Sequence, residues 1–255
     1  MNIIITSEHR VGSRWLHYLL ADILEMSVSP EMDGAVENVK ERKQDALHRF
    51  ANNKIVKYHH GTPATIMKGL GKGDYKIIGV VRNPRDRAVS RAFHDFYHPK
   101  HSYQVKKYAS SDFEAVKWVV EESPPFEQDS WRQIQHLMLD GYSTRCHLFD
   151  SLPYIWTSYE WMTDDIHLEV SKILDFLGAR VKPFVLKTAI QKNAFESKAK
   201  RPKGTEDRQD TWRRKGMMLD WINWFDEEML NTTIGMQGAY WRKLVTNGGN
   251  DEWQN

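Results

Sequence analysis

The apolar run at residues 76–81 limits the fold more than any other segment of the chain. A short continuous run of this kind is typical of a strand buried on both faces of a parallel sheet. Asn83 and Pro84 follow at once, which predicts a helix with Asn83 as N-cap and Pro84 at its first position. Asp86 is placed to complete a capping box. The segment therefore predicts a strand that leads directly into a helix.

Other segments repeat this alternation of strands and helices. Short β-branched or apolar runs predict further strands at residues 3–6, 54–58 and 154–157. Apolar residues about one turn apart predict helices at residues 15–24, 36–50, 112–122, 131–139, 167–177 (ended by Gly178) and 220–230, with a short helix starting at Thr62 and Pro63. This order predicts an α/β chain with a three-layer P-loop-like fold, in which helices flank a central, mostly parallel sheet.

A chain of 255 residues fits one α/β domain better than two, and we expect a single domain over residues 1–246. Residues 97–130 are interpreted as a variable insertion, and residues 247–255 as a disordered tail. Residues 187–215 hold ten Lys or Arg against four acidic residues, with little periodicity. That composition predicts a mobile basic loop.

Bulk composition narrows the functional class and the compartment. The formal net charge of +2 does not require a nucleic-acid partner, and none is predicted. The single Cys146 cannot form an internal disulfide, which favours a reducing compartment. No signal peptide is visible, and no apolar stretch approaches the roughly 20 residues that span a bilayer. We therefore expect a cytoplasmic protein.

The segment between the first strand and the first helix has the properties of an anion site. Unpaired N–H groups and a positive helix dipole favour a phosphate there, and Gly12 would let the backbone approach it. Arg10, Ser13 and Arg14 add donors. The segment lacks the Gly-Lys-[Ser/Thr] ending of a magnesium–ATP loop, which disfavours a nucleotide kinase. A plain strand–helix turn stays open as the alternative.

A second phosphate site is predicted where residues 76–81 lead into the next helix. Arg82 lies at the carboxyl edge of the strand, where ligands of α/β proteins bind. Ser90 follows two turns into the helix, so that a guanidinium and a hydroxyl would clamp one phosphate. Arg85 and Arg87 are interpreted as solvated arginines on a capped helix.

These two segments together resemble the sulfotransferases that use 3′-phosphoadenosine 5′-phosphosulfate. The matching stretches are SEHRVGSRW at 7–15, RNPRDRAVS at 82–90 and WRRKG at 212–216 followed by Asp220, Trp221 and Phe225, with Ser130-Trp131 and Tyr159-Glu160 in the same order. The resemblance implies an enzyme that takes this nucleotide as sulfuryl donor, releases adenosine 3′,5′-bisphosphate and needs no metal. The histidines are scattered, and none pairs with Cys146 at zinc spacing.

The resemblance also implies a role for each matching position. Nucleotide contacts fall on Arg10, Val11, Gly12, Ser13, Arg14, Trp15, Arg82, Ser90, Tyr159, Thr188, Arg214, Lys215 and Gly216. Among these, Trp15 and Tyr159 would contact the adenine, and 214–216 would close over the 3′-phosphate. The 5′ loop departs most from the family pattern. Arg10 replaces a lysine, Val11 a hydroxyl residue and Arg14 a threonine.

The segment Lys57-Tyr58-His59-His60 resembles the catalytic Lys-x-His segment of the same family. The resemblance implies that His59 is the general base for the acceptor, and that Lys57 lies near the sulfuryl group. Arg10 would stabilise the leaving 5′-phosphate. Neighbours on an extended segment point to opposite sides, so only one of His59 and His60 should face the site. His60 stays open as the alternative base.

The acceptor is not fixed by the sequence. Aromatic residues of the insertion would line an apolar pocket for a small acceptor such as a phenol or a lipid-like alcohol, while a sugar or peptide stays open; they are Tyr97, Tyr103, Tyr108, Phe113, Trp118 and Phe126. For Phe113 and Trp118 we favour a core of the insertion itself. The alternatives in function are a P-loop-like nucleotide kinase and a non-catalytic nucleotide-binding protein. The sequence leaves the oligomeric state open.

Overall fold

The computed structural model of the chain describes residues 2–7, 9–28, 54–59, 75–99, 101–122, 154–210 and 213–233. Five parallel strands of this part form one sheet: β1 (Asn2–Ser7), β2 (Ser27–Val28), β3 (Lys54–His59), β4 (Tyr75–Val81) and β5 (Tyr154–Ser158). Their order is β2-β3-β1-β4-β5, with all neighbours parallel. The winding reverses beside β1, which is where ligands bind at the carboxyl ends of such sheets.

Helices connect and follow the strands. They are α1 (Ser13–Leu24), α2 (Pro84–Tyr97), α3 (Ser102–Val105), α4 (Asp112–Lys117) with a π-helical turn (Trp118–Glu122), α5 (Tyr159–Asp164), α6 (Ile166–Leu177), α7 (Pro183–Asn193), α8 (Phe195–Ala199), a 3₁₀ helix (Asp220–Asn223) and α9 (227–233). This confirms the predicted α/β fold with a parallel sheet. The predicted strands agree with β1, β3, β4 and β5.

The chain divides into two compact units. The first unit consists of Met1–Val81 and Arg145–Lys198, and it holds the sheet with α1, α5, α6 and α7. The second unit consists of Arg82–Thr144 and Ala199–Asn255, and it holds α2, α3, α4, the 3₁₀ helix and α9. The single domain expected over residues 1–246 stays a prediction.

The core of the first unit forms between the sheet and its helices. Apolar residues one turn apart on α1 bury one face of that helix, with Leu16, Leu19 and Leu20 fully enclosed. Ile3 and Ile5 alternate along β1 and meet this face. Burying one such side chain contributes about 1.5–3 kcal/mol, so this core holds β1 and α1 firmly on both sides of their connecting loop.

A tryptophan covers a glycine where β4 pairs with β5. Gly79 lies opposite Trp156 in the parallel register. A Cβ built on Gly79 would lie 2.1 Å from Cζ3 of the Trp156 ring. Position 79 therefore requires glycine, because no side chain fits beneath the indole.

The basic loop predicted at residues 187–215 is wrong in its first half. Residues up to Ala199 are helical, in α7 and α8. Pro183 starts α7, and Asn193 donates a 2.7 Å hydrogen bond from Nδ2 to Oδ2 of Asp22 on α1. Lys192 donates to the other oxygen of Asp22 at 2.7 Å. Packing on α1 thus stabilises a helix that the charged sequence does not indicate.

The predicted helix at residues 220–230 is also corrected. The structure has the 3₁₀ helix Asp220–Asn223 and then a separate helix, α9. Asp226 divides the two, because its Oδ1 accepts a 2.9 Å hydrogen bond from the N–H of Met229 and caps α9.

The core of the second unit includes part of the predicted insertion. Trp118 is 8% exposed and packs in this core. The core also contains Phe93 of α2 and Met229 of α9, so it is not the separate core of the insertion that was predicted. Phe113 is 42% exposed, so its predicted core position is wrong; it lies on the solvent side of the short helix α4. Tyr108 is 62% exposed and stacks on Trp118 with 5.4 Å between ring centroids. The Tyr97 hydroxyl donates a 2.6 Å hydrogen bond to Oδ1 of Asp112.

Several predictions lie outside the described residues. These are the helices at 36–50, at Thr62-Pro63 and at 131–139, the tail at 247–255, and residues His60, Phe126, Ser130, Trp131, Cys146 and Trp212. Within the described ranges, no helix has the length and apolar character needed to cross a bilayer.

Candidate functional site

The loop between β1 and α1 has an unusual backbone. Arg10 and Gly12 have φ angles of 68° and 85°, in the left-handed region. Val11 lies between them and is 2% exposed within the first unit's core, which anchors the loop. The nucleotide contact expected of Val11 stays a prediction. Ser13 begins α1 and is 3% exposed, so the first N–H groups of α1 follow a tightly fixed turn.

Two aromatic rings accompany this loop in the first unit. A Cβ on Gly12 would lie only 2.7 Å from Cδ2 of Tyr159, so the loop backbone passes directly against this ring. Tyr159 starts α5 and meets Trp15 edge to face, with 6.1 Å between centroids. Ser158 caps α5 by accepting a hydrogen bond from Trp161 N–H at 3.0 Å. The rings of Trp15 and Tyr159 are half-buried, and such faces are suited to a purine base.

The carboxyl end of β3 lies beside that of β1. Lys57 pairs with Ile5, and His59 pairs with Ser7, in the parallel register. Lys57 is 3% exposed, and a buried ammonium group requires anionic or polar partners. The structure thus places Lys57 and the backbone of His59 at the sheet edge from which the 9–12 loop departs. Thr188 lies exposed on α7 of the same unit.

In the second unit, the segment that starts at Arg82 forms the first turns of α2. Asn83 caps this helix as predicted, because its Oδ1 accepts a 2.9 Å hydrogen bond from Arg85 N–H. Arg82 donates from Nη2 to the carbonyl of Met217 at 3.2 Å. Ser90 is half-buried on α2. The structure therefore brings the 82–90 segment into direct contact with the segment that follows residues 214–216.

The solvated positions predicted for Arg85 and Arg87 are wrong. The two side chains are only 9% and 6% exposed, because residues 84–89 of α2 are all buried. Arg85 donates from Nε to Oγ1 of Thr233 at 2.9 Å, and its guanidinium lies 4.6 Å from the ring centre of Trp221. Such a cation–π contact offsets part of the cost of burying the charge.

Asp86 is the one carboxylate of the 82–90 segment, and it is 1% exposed. Its Oδ2 accepts from Leu219 N–H at 2.7 Å, and its Oδ1 accepts from Trp221 N–H at 3.1 Å. Burial raises the pKa of Asp86, while the charge of Arg82 and the two N–H groups act in the opposite direction. Both carboxylate oxygens of Asp86 thus accept hydrogen bonds from a turn more than 130 residues later in the chain. The capping box that was expected between Asp86 and Asn83 stays a prediction.

The cations of residues 214–216 converge on one carboxylate. Arg214 pairs with Asp220 and with Glu206, and it lies 4.1 Å from the ring centre of Phe93. Lys215 Nζ lies 2.7 Å from Oδ1 of Asp220. Burial alone would raise the pKa of Asp220, but the hydrogen bond from Lys215 and the charge of Arg214 outweigh it and lower the pKa.

Several of these contacts were not found by sequence reasoning. Asp86 and Asp220 both stand within recognised motifs, yet their partners lie too far along the chain for a local pattern to show. Phe93 belongs to no motif singled out in the sequence, and the structure places it in the core of the second unit. Within the described ranges, no group of three or more His, Cys, Asp or Glu side chains is arranged to hold a metal ion.

The model of the sulfotransferase domain family matches residues 2–234. No curated protein matches the chain. Among solved structures, mouse sulfotransferase SULT7A1 in complex with PAP is similar with a TM-score of 0.65 and 20% identity, covering 95% of this chain and 83% of that one.

Two structures of retinol dehydratase are similar as well. The complex with androsterone and inactive cofactor PAP has a TM-score of 0.53 and 16% identity, and covers 97% of this chain and 81% of that one. The complex with retinol and PAP has a TM-score of 0.56 and 16% identity, and covers 97% and 82%. Structural similarity at 16–20% sequence identity shows that the fold is shared. The family model matches nearly the whole chain, so the chain belongs to the sulfotransferase family and is a sulfotransferase enzyme.

Proposed function

We propose that the chain transfers the sulfuryl group of 3′-phosphoadenosine 5′-phosphosulfate to a hydroxyl or amine of a small acceptor. The observation that carries this proposal is the contact between the two 3′-phosphate motifs within the second unit. Arg82 is hydrogen-bonded to Met217, and Asp86 to Leu219 and Trp221. Two segments that the family resemblance assigns to one phosphate are thus neighbours.

Each end of the donor has its own set of residues. The 5′-phosphosulfate end binds the loop of the first unit through Arg10, Gly12, Ser13, Arg14 and the main chain of Val11, while Trp15 and Tyr159 take the adenine and Thr188 supports the nucleotide. The 3′-phosphate binds Arg82, Ser90, Arg214, Lys215 and Gly216 of the second unit. Guanidinium groups suit phosphate because their fork matches its oxygens. The PAP-bound structures of similar fold support the choice of donor.

The reaction is a direct in-line displacement at sulfur. His59 takes the proton of the acceptor hydroxyl, and the acceptor oxygen forms a bond to sulfur. The bond from sulfur to the bridging oxygen of the 5′-phosphate breaks, which leaves adenosine 3′,5′-bisphosphate and a sulfated acceptor. Lys57 stabilises charge on the bridging oxygen, and Arg10 stabilises the leaving phosphate. Positioning and charge stabilisation supply the rest of the rate enhancement.

The acceptor in this proposal is a small apolar alcohol. Retinol and androsterone, which carry a hydroxyl on an apolar body, are bound in the retinol dehydratase structures. The aromatic residues between Tyr97 and Trp118 of this chain offer apolar surface for such a body, with Tyr103 and Tyr108 exposed. A cytoplasmic location, expected from the single Cys146, stays a prediction.

Sulfate transfer from labelled donor to a panel of phenols, sterols and isoprenoid alcohols tests the proposal. We expect His59→Ala to lower turnover by about 10²–10⁴-fold, the usual contribution of a general base. Binding of adenosine 3′,5′-bisphosphate should stay within about twofold of wild type, because the base does not hold the nucleotide.

His60→Ala is the matched control, since it removes a neighbouring imidazole and should retain turnover. Loss of activity in His60→Ala with full activity in His59→Ala would assign the base to His60. Tighter binding of ATP–magnesium than of adenosine 3′,5′-bisphosphate, without sulfate transfer, would contradict the proposed function.

A further inference from the structure

The turn at residues 216–221 of the second unit adopts a backbone that its own side chains do not explain. Gly216 and Leu219 have φ angles of 68° and 58°. Leucine rarely occupies the left-handed region, because its Cβ approaches the following carbonyl. Leu219 is also the N-cap of the 3₁₀ helix Asp220–Asn223, and its side chain makes no capping hydrogen bond. The backbone N–H groups of this turn therefore need a hydrogen-bond acceptor from another segment of the chain.

Asp86 supplies this acceptor. Its two carboxylate oxygens take the N–H groups of Leu219 at 2.7 Å and Trp221 at 3.1 Å. The N–H groups at the start of a helix have no partner within the helix, so a carboxylate there both satisfies them and favours the helix dipole. A residue on α2 thus caps a helix that lies more than 130 residues later in the chain.

The 3₁₀ helix that Asp86 caps begins with the carboxylate that binds Arg214 and Lys215. Asp220, the first residue of the 3₁₀ helix, is 4% exposed and pairs with both Arg214 and Lys215. Arg82 contacts the same turn through the carbonyl of Met217. The turn at residues 216–221 therefore contacts all three cations, Arg82, Arg214 and Lys215. Asp86 holds the backbone of this turn in place.

We propose that Asp86 is a positioning residue that aligns Arg82, Arg214 and Lys215 for recognition of a phosphate on the 3′ position of the donor. The inference rests on the proposed function, because it assumes that these cations bind the 3′-phosphate. Asp86 itself does not touch the nucleotide in this role. Its loss should therefore reduce the preference for a 3′-phosphorylated nucleotide, and it should leave contacts with the adenine and the 5′-phosphate unchanged.

Asp86→Asn tests this with almost no change in shape. The amide keeps one acceptor and turns an NH₂ group towards the second N–H, so one of the two hydrogen bonds is lost. Calorimetry with the full chain would measure the Kd of adenosine 3′,5′-bisphosphate and of 5′-AMP. We expect the first Kd to rise about 10- to 100-fold, as for a lost hydrogen bond to a charged group, and the second to change less than about twofold.

Asp95→Asn is the matched control, because Asp95 is buried on the same helix but pairs with His94 and Arg91. It should leave the ratio of the two Kd values unchanged. If Asp86→Asn does not fold, Asp86→Glu carries the same test, since it keeps both acceptors and displaces them by one methylene.

The outcomes separate this inference from the proposed function. A wild-type protein that binds the two nucleotides equally would contradict the proposed donor site. A wild-type preference for the bisphosphate that survives in Asp86→Asn would overturn the positioning role alone. An equal loss of affinity for both nucleotides would also overturn it, because that pattern indicates general destabilisation.

Discussion

Replacing Gly12 with alanine adds one methyl group, which should destabilise the fold in two ways, through backbone strain and through a clash with a neighbouring ring. The residue would stay at φ 85°, and a non-glycine residue in this region costs about 1–2 kcal/mol. The new Cβ would also lie 2.7 Å from Cδ2 of Tyr159, so the ring must move. Overpacking of this kind costs about 1–3 kcal/mol. We expect Gly12→Ala to lower the free energy of unfolding by about 2–5 kcal/mol.

Gly178 provides a matched control in the same unit. It has φ 67° at the end of α6, and among the described residues the only atom within 4 Å of an added Cβ is Nζ of Lys76, at 4.0 Å. Gly178→Ala should therefore show the backbone cost of about 1–2 kcal/mol alone. In a Tyr159→Ala background the contact with the ring is gone, so Gly12→Ala should there cost about as much as Gly178→Ala.

Urea unfolding followed by tryptophan fluorescence would measure these differences, and calorimetry with 5′-AMP would measure the effect on the loop. Gly12→Ala should weaken 5′-AMP binding because it displaces the main chain that we propose to bind the 5′-phosphate, whereas Gly178→Ala should not. The reasoning is refuted if Gly12→Ala destabilises no more than Gly178→Ala. It is equally refuted if removal of the Tyr159 ring leaves the cost of Gly12→Ala unchanged.

Two further predictions concern the second unit. Arg82→Ala should raise the Kd of adenosine 3′,5′-bisphosphate about 10- to 100-fold and that of 5′-AMP less than about twofold, and an equal rise for both in calorimetry would place the 3′ site elsewhere. Asp220 has a pKa below its ordinary value of 3.8 in the folded chain, so its stabilisation is present above that pH and is lost as pH falls through the lowered pKa. In urea unfolding at neutral pH, Asp220→Asn should have a lower free energy of unfolding than wild type. This difference between the two proteins should narrow below pH 3.8. A difference that widens there would contradict the ion pairs of Asp220 with Arg214 and Lys215.

The sequence predicted those strands, helix caps and helix ends whose determining residues lie close together in the chain. Strands β1, β3, β4 and β5 follow from short β-branched or apolar runs, and the start of α1 follows from Gly12, because these signals lie within a few residues. The two-residue strand β2 was not predicted. The Asn83 cap and the Gly178 end of α6 are equally local. The helices at 183–199 were missed, and the contacts that hold the end of α7 come from Asp22, about 170 residues earlier in the chain.

The candidate site divides in the same way. Its motif positions could be read from the sequence by resemblance, including Arg82, Arg214 and Lys215. The burial of Arg85 could not, because it depends on Thr233 and Trp221. The cap that Asp86 provides joins segments 133 residues apart, and no periodicity or capping rule refers to so distant a partner.

The indole over Gly79 implies a constraint on how relatives of this chain can diverge. An added Cβ at position 79 would meet the six-membered ring of Trp156 at 2.1–2.3 Å, so the two positions share one volume. A relative that carries a side chain at 79 must carry a smaller residue at 156, because the side chain at 79 occupies the volume of the indole. Positions 79 and 156 should therefore co-vary among relatives.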